Sequence, residues 1–223
     1  MRRPAEQAYY PLFADLQGRR CLVVGGGLVA QRKVTTLLDY GASVVVVSPT
    51  VTRRLAAYGR EGKVRYIARR FRPTDVRGAW LVYAATDEEA INRQVFRTAT
   101  RARVLTNVVD QKPLCSFIAP SIVKRGDLVI AISTGGASPA LAKKLRRDLS
   151  RLIGQDYARM LRLLKGLRPI AKQRLPSYGE RKRYFDSLVA GRVFRLVRQG
   201  RPGAAHRTAL VLLDRAANRN GHG

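Results

Sequence analysis

The sequence predicts an α/β protein: a small doubly wound parallel sheet over residues 1–113, a short α+β segment over 114–150, and a helical carboxyl-terminal domain over 151–223. Three observations predict it. Short β-branched runs alternate with helically spaced apolar stretches as far as Lys112-Pro113. A glycine triplet separates the first strand from the first helix, and beyond Gly154 the pattern is helical only. A chain of 223 residues, 46% of them hydrophobic, has enough apolar surface for a core in one or two domains.

The elements follow in order. Arg20 to Val24 reads as a buried strand, Gly25-Gly26-Gly27 as a tight turn, and Ala30, Val34, Leu37 and Leu38 as the apolar face of a helix. Ser43 to Val47 is an unbroken apolar run closed by Ser48-Pro49, as a strand covered on both faces requires, so the two strands and their helix form a βαβ unit. Further strands are expected at Val64 to Ile67, Trp80 to Ala85 and Val104 to Val109. A helix from Glu88 to Thr100 is opened by the capping-box pattern Thr86-Asp87-Glu88-Glu89. Cys115 to Ile118 and Leu128 to Ser133 read as two more strands. Ser138 as N-cap and Pro139 at the first helical position then start a helix with Leu141, Leu145, Leu149 and Leu152 in register. Breaks in the helical remainder are expected at Arg168-Pro169, Leu175-Pro176 and Gly200-Arg201-Pro202, with Ala217 to Gly223 as a frayed tail.

Composition narrows the function classes. Forty-three Lys+Arg against 15 Asp+Glu leave a net charge of +28, of which residues 141–223 carry +16, and this suggests an anionic partner. Cys21 and Cys115 stand far apart with no ligand-spaced neighbour, and the histidines are only His206 and His222. Zinc-finger and iron–sulfur readings are therefore set aside, no metal site is expected, and a reducing cytoplasm fits. Two early arginines lack an apolar stretch behind them and no 18 apolar residues run together, so neither an export signal nor a membrane span is expected.

Gly25-Gly26-Gly27-Leu28-Val29-Ala30 matches G-x-G-x-x-G/A between a strand and a helix, the context in which that motif binds a dinucleotide. Gly25 permits the turn, Gly27 admits a pyrophosphate, Ala30 lets helix and sheet approach, and the helix amides face the phosphates. The usual ribose carboxylate is missing: the second strand ends in Ser48-Pro49-Thr50 with Arg53 and Arg54 close behind, which leaves NAD and NADP both open. Asp110 follows Asn107-Val108-Val109 at the carboxyl end of the fifth strand, where ligand crevices of such sheets lie. It could take a proton, ligate a cation, or merely cap a turn. Ser116, and the loop Ser133-Thr134-Gly135-Gly136 before the Ser138 helix, offer hydroxyls and amides to an anion.

Taken together, these residues resemble the precorrin-2 dehydrogenases, the counterpart of the amino-terminal half of siroheme synthase. The resemblance runs through Tyr10-Pro11-Leu12-Phe13, the glycine turn with Arg32-Lys33 following, Ala85-Thr86-Asp87, Asn107-Val108-Val109-Asp110 and Ser116-Phe117-Ile118 with Pro120. It ends in Ile132 to Ala142, and so covers roughly residues 9–150. It implies a Rossmann domain and NAD-dependent oxidation of precorrin-2 to sirohydrochlorin, with some members also inserting ferrous iron. It further implies a homodimer paired through the 114–150 segment. Carried over by position, Gly25, Gly27, Leu28 and Val29 meet the pyrophosphate, and Ser48, Pro49 and Thr50 the adenosine end. Thr86 and Asn107 complete the cofactor set, Asp110 is the acid/base, and Ser116, Thr134, Gly135 and Gly136 meet the substrate. Thr134 stands where members often carry a second serine. With no methyltransferase sequence following, the preceding C-methylations are expected of another protein. Two alternatives remain: chelation alone, and a non-catalytic dinucleotide-fold module binding nucleic acid, which the 7% aromatic content disfavours.

Overall fold

A computed structural model describes residues 9–218, and the chain divides into two compact units between Ala119 and Pro120. Five parallel strands form the sheet of the first: β1 (Arg20–Val24), β2 (Ser43–Val47), β3 (Val64–Ile67), β4 (Leu81–Ala84) and β5 (Leu105–Val108), in the order β3-β2-β1-β4-β5. The connecting helices are α1 (Leu28–Asp39), α2 (Arg53–Arg60) and α3 (Glu89–Arg101). Alternate residues of each strand serve opposite cores. Cys21, Val23, Val44, Val46 and Tyr83 pack with Ala30, Val34 and Leu37 of α1, while Leu22, Val24, Val45, Val47 and Val82 pack with Val95 and Ala99 of α3. Both faces are covered, so the valine run of β2 has no polar alternation to make. Each such side chain contributes on the order of 1.5 kcal/mol by leaving water.

Chain order reverses where β1 lies between β2 and β4, and the register puts Val24 beside both Val47 and Ala84, and Ala84 beside Val108. The carboxyl ends of four strands therefore finish level. The crevice of a doubly wound sheet opens at that switch point.

The residues around 115–118 differ from expectation. A short 3-10 turn at Lys112–Leu114 is followed by irregular chain rather than a strand. Ser116 makes one rung to edge strand β5, its N–H donating to the Thr106 carbonyl at 2.8 Å, while Asn107 Nδ2 donates to the Phe117 carbonyl at 3.0 Å. The capping box before α3 is also absent: the N-cap is Glu88, whose side chain caps no amide of the helix, while the Thr86 hydroxyl accepts from the Glu88 N–H and donates to Asn92 Oδ1.

In the second unit β6 (Ser121–Arg125) and β7 (Leu128–Ile132) form an antiparallel hairpin whose turn puts Gly126 at φ +60°. Next comes α4 (Pro139–Leu152), with the Leu141 N–H donating to Ser138 Oγ at 3.2 Å, the cap that the sequence predicts. Arg125 donates to the carbonyls of Ser150 and Ile153 and so closes the far end of that helix. The remaining helices, α5 (Gln155–Arg174), α6 (Tyr178–Ala190), α7 (Arg192–Arg198) and α8 (Pro202–Asn218), bury Leu167, Ala171, Leu175, Leu188, Val193, Ala205, Ala209 and Leu213 completely. Pro169 does not break α5: it costs one hydrogen bond, and the buried residues on either side of it, Leu167 and Ala171, hold the helix to the core. The break missed is at Gly191, between α6 and α7. Helix α8 runs through Ala217 to Asn218, and the rest of the expected frayed tail lies outside the described residues.

Candidate active site

The glycine turn is built by collisions that any side chain would make. Gly25 has φ +122° and a Cβ there would stand 2.2 Å from the Ala85 carbonyl oxygen. A Cβ on Gly26 would overlap the Thr50 carbonyl oxygen. Gly27 is different, since nothing lies within 4 Å of the Cβ it lacks. It is the N-cap of α1, where no side chain caps the helix, so open space faces uncapped amides and the residues fit a phosphate. Leu28 is exposed beside this space, Val29 is half-buried, and Ala30 is fully buried against the sheet as the motif requires.

The loop after β2 is locked to this turn. The Thr52 N–H donates to the Gly26 carbonyl at 2.9 Å, and the Thr52 hydroxyl bonds Gln31 Oε1 at 2.7 Å. Ser48 is buried and its hydroxyl donates to the Thr50 carbonyl, so the hydroxyl shapes the loop instead of facing outward, while Pro49 and Thr50 are exposed. Tyr66 donates to the carbonyls of Ser48 and Pro49. Arg54 donates to the Tyr58 hydroxyl at 2.9 Å, and Arg53 is exposed at the start of α2. On β4's side, Thr86 and Asn92 hold one another, Asn92 Nδ2 donating to the Thr86 carbonyl at 2.8 Å.

Asp110 follows β5 in the left-handed region, at φ +59°, with its side chain exposed. Beneath this turn Cys115 is buried, its thiol donating to the carbonyls of Val108 and Gln111, and burial pushes the thiol's pKa up. The Ser116 hydroxyl accepts from the Thr106 N–H at 2.7 Å, which makes it a clamp on β5 rather than the free hydroxyl the sequence suggested. Asn107 is likewise buried and engaged with the 115–117 chain. Tyr83 stacks edge-on with Phe117 at 5.3 Å, and burial raises its pKa. Over the Tyr83 ring, at 5.1 Å, sits the ammonium of Lys33 from α1. Burial lowers its pKa and neighbouring Arg32 adds to this, while Asp110 and Cys115 pull the other way. The sequence reading named Gly26 within the glycine motif and Lys33 beside Arg32 but gave neither a role of its own. The signal for Lys33 was present: it stands three residues after Ala30 and four before Leu37, on the edge of the buried face of α1.

Thr134, Gly135 and Gly136 belong to the second unit. The Thr134 hydroxyl is held within its own loop, accepting from the Ser138 N–H and donating to the Ser138 carbonyl, and both glycines have positive φ. His206 is exposed on α8, and His222 lies outside the described residues. No helix among the described residues is long and apolar enough to cross a membrane.

Three family models match the chain: a putative NAD(P)-binding model over residues 12–121, the sirohaem biosynthesis protein central model over 125–152, and the sirohaem synthase dimerisation region over 156–213. Dimerisation thus attaches by description to α5–α8, whereas the sequence reading gave pairing to 114–150. Siroheme synthase 1 of Serratia proteamaculans is 41% identical over 199 residues, covering 89% of this chain and 42% of that protein. Siroheme synthase of Thioalkalivibrio sulfidiphilus is 42% identical over 206 residues, with 92% and 42% covered. The chain thus spans about two-fifths of the length of these curated relatives. Among solved structures, SirC, precorrin-2 dehydrogenase, superposes with a TM-score of 0.76 at 26% identity, covering 93% of this chain and all of that one.

Proposed function

This chain belongs to the siroheme synthase family, and from that premise we propose that it oxidises precorrin-2 to sirohydrochlorin with NAD. The observation that carries the reading is the likeness to a precorrin-2 dehydrogenase across both units at once. The glycine turn supports it by leaving open space before the uncapped amides of α1.

In this reading the amides after Gly27 bind the pyrophosphate, with Gly25, Leu28 and Val29 shaping its bed. Ser48, Pro49 and Thr50 carry the adenosine end, and Thr86 and Asn107 bound the site through the loops they hold. NAD, when bound, supplies the hydride acceptor. Asp110 takes the proton that the macrocycle must lose in the same oxidation, its carboxylate standing at the end of β5. The Thr134-Gly135-Gly136 loop offers amides to substrate carboxylates, and Ser116 acts by fixing the chain under Asp110. Ferrous iron is a second substrate, inserted with Asp110 accepting one of the two displaced pyrrole protons and solvent taking the other. The protein works as a homodimer in the cytoplasm, and its basic surface serves a polycarboxylate rather than nucleic acid.

Purified protein incubated anaerobically with precorrin-2 and NAD, with and without ferrous iron, tests this by absorbance. Growth of the sirohydrochlorin spectrum with stoichiometric NADH supports the oxidation, and a further iron-dependent change supports insertion. No change of precorrin-2 with NAD, alongside iron insertion into separately supplied sirohydrochlorin, would leave a chelatase alone.

A further inference from the structure

Lys33 is a half-buried cation with unused donors. Its stem lies on the edge of the packed face of α1 and its ammonium over the ring of Tyr83, a weakly favourable cation–π arrangement. No hydrogen bond or ion pair reaches the ammonium among the described residues. Asp110 and Cys115 lie close enough to act on it electrostatically. An ammonium has three donors, and withdrawing it partly from water without replacing those bonds is unfavourable unless an anion completes it. Every other basic side chain that stacks on an aromatic ring in this unit is on the outer surface or bonded to a neighbour: Arg19 is exposed beside Trp80, Arg54 bonds Tyr58, and Lys63 pairs with Glu61. Lys33 alone among them faces the turn that carries the acid/base candidate.

We propose that the Lys33 ammonium receives a carboxylate of the tetrapyrrole substrate, and so holds the macrocycle at the turn that carries Asp110. This rests on the reading that the substrate is a polycarboxylate tetrapyrrole. The site it predicts is local. One charge-assisted contact orients a substrate that carries carboxylates around its whole rim, while the general positive field of the protein only attracts it.

The test measures binding and turnover separately. Full-length Lys33→Met, Lys33→Gln and Lys33→Arg are titrated with sirohydrochlorin by fluorescence quenching and assayed with precorrin-2, with NAD affinity and thermal melting as measures of integrity. Removing the charge is expected to weaken sirohydrochlorin binding and raise KM for precorrin-2 by about tenfold to a hundredfold. The kcat should change little, NAD affinity should not change, and Lys33→Arg should recover most of the loss. Met and Gln variants that bind sirohydrochlorin as the unmodified chain does would overturn the inference while leaving the proposed function standing. So would a fall in kcat at constant KM, which would mark Lys33 as a positioning residue for Asp110. An unmodified chain that binds NAD but no tetrapyrrole would bring down the functional reading itself, and this inference with it.

Discussion

Gly26 and Gly27 are neighbours in the chain, yet a methyl group means different things at the two. At Gly26 it would collide with the Thr50 backbone, which cannot move without breaking the bond from the Thr52 N–H. At Gly27 it would enter empty space, the same space a phosphate would need. Gly26→Ala should therefore lower both thermal stability and NAD affinity. Gly27→Ala should leave the melting temperature almost unchanged while weakening NAD by tenfold or more, and calorimetric titration beside a melting curve separates the two. Asp110 calls for an equally specific change. Its φ of +59° is a conformation asparagine adopts readily and alanine does not, so Asp110→Asn removes the charge with little backbone cost. The expected result is a kcat lower by about 10²- to 10⁴-fold with NAD affinity intact. A wild-type rate would reduce Asp110 to a turn residue.

The turn between β3 and β4 shows how an element is pinned by one carboxylate. Asp75 is buried; Arg69 donates to its two oxygens at 2.8 and 2.6 Å, and the Arg72 N–H adds a bond at 2.8 Å. Burial pushes the carboxyl pKa up, but these bonds outweigh it and hold the value below that of an ordinary aspartate. A folded-state pKa below the unfolded one stabilises the fold at pH above the unfolded value of about 3.9, and this stabilisation disappears as pH falls through the folded value. Melting temperature should consequently drop below about pH 4. Asp75→Asn should flatten that limb and cost about 2–3 kcal/mol at neutral pH, below the 3–5 typical of a fully buried pair because Arg69 is partly exposed. Elements buried on both faces, such as β2, were legible because four consecutive β-branched valines, bounded by Ser48-Pro49, suit a short strand covered on both sides. Cys115 to Ile118 were misread for the opposite reason: Cys115 is buried beneath Val108 and the half-buried Phe117 packs on Tyr83, so hydrophobicity there reports a partly buried loop. Thr86 was misread as half of a capping box because Asn92, six residues on, competes for its hydroxyl, a pairing that local patterns do not reveal.

For the molecule as a whole, charge and exposed apolar surface make separate demands. With a net charge of +28, attraction of a polyanion should weaken as the ionic strength rises. KM for precorrin-2 should increase several-fold between about 50 and 300 mM salt while kcat holds, and a salt-independent KM would assign the charge another role. Leu141, Leu145 and Leu152 of α4 repeat at helical spacing but are 48, 39 and 75% exposed, so their stripe faces away from the chain's own core. If it helps to pair two chains, Leu145→Asp with Leu152→Asp should produce monomers in sedimentation velocity. Persistence of the dimer would restrict pairing to α5–α8. The glycine turn and the place of Asp110 just after β5 could be read from the sequence because strand ends and backbone motifs announce themselves by residue type. For Lys33 only the place on the edge of the buried face of α1 was legible, since its stacking depends on Tyr83, fifty residues away on β4. Finally, the bond from the Thr52 N–H to the Gly26 carbonyl, with Thr50 packed beneath, makes the two loops that would carry opposite ends of a dinucleotide a single rigid ledge. Their chain entropy is lost when the protein folds rather than when the cofactor arrives, so NAD should enter as into a finished mould, with amide exchange in both loops already slow before it binds.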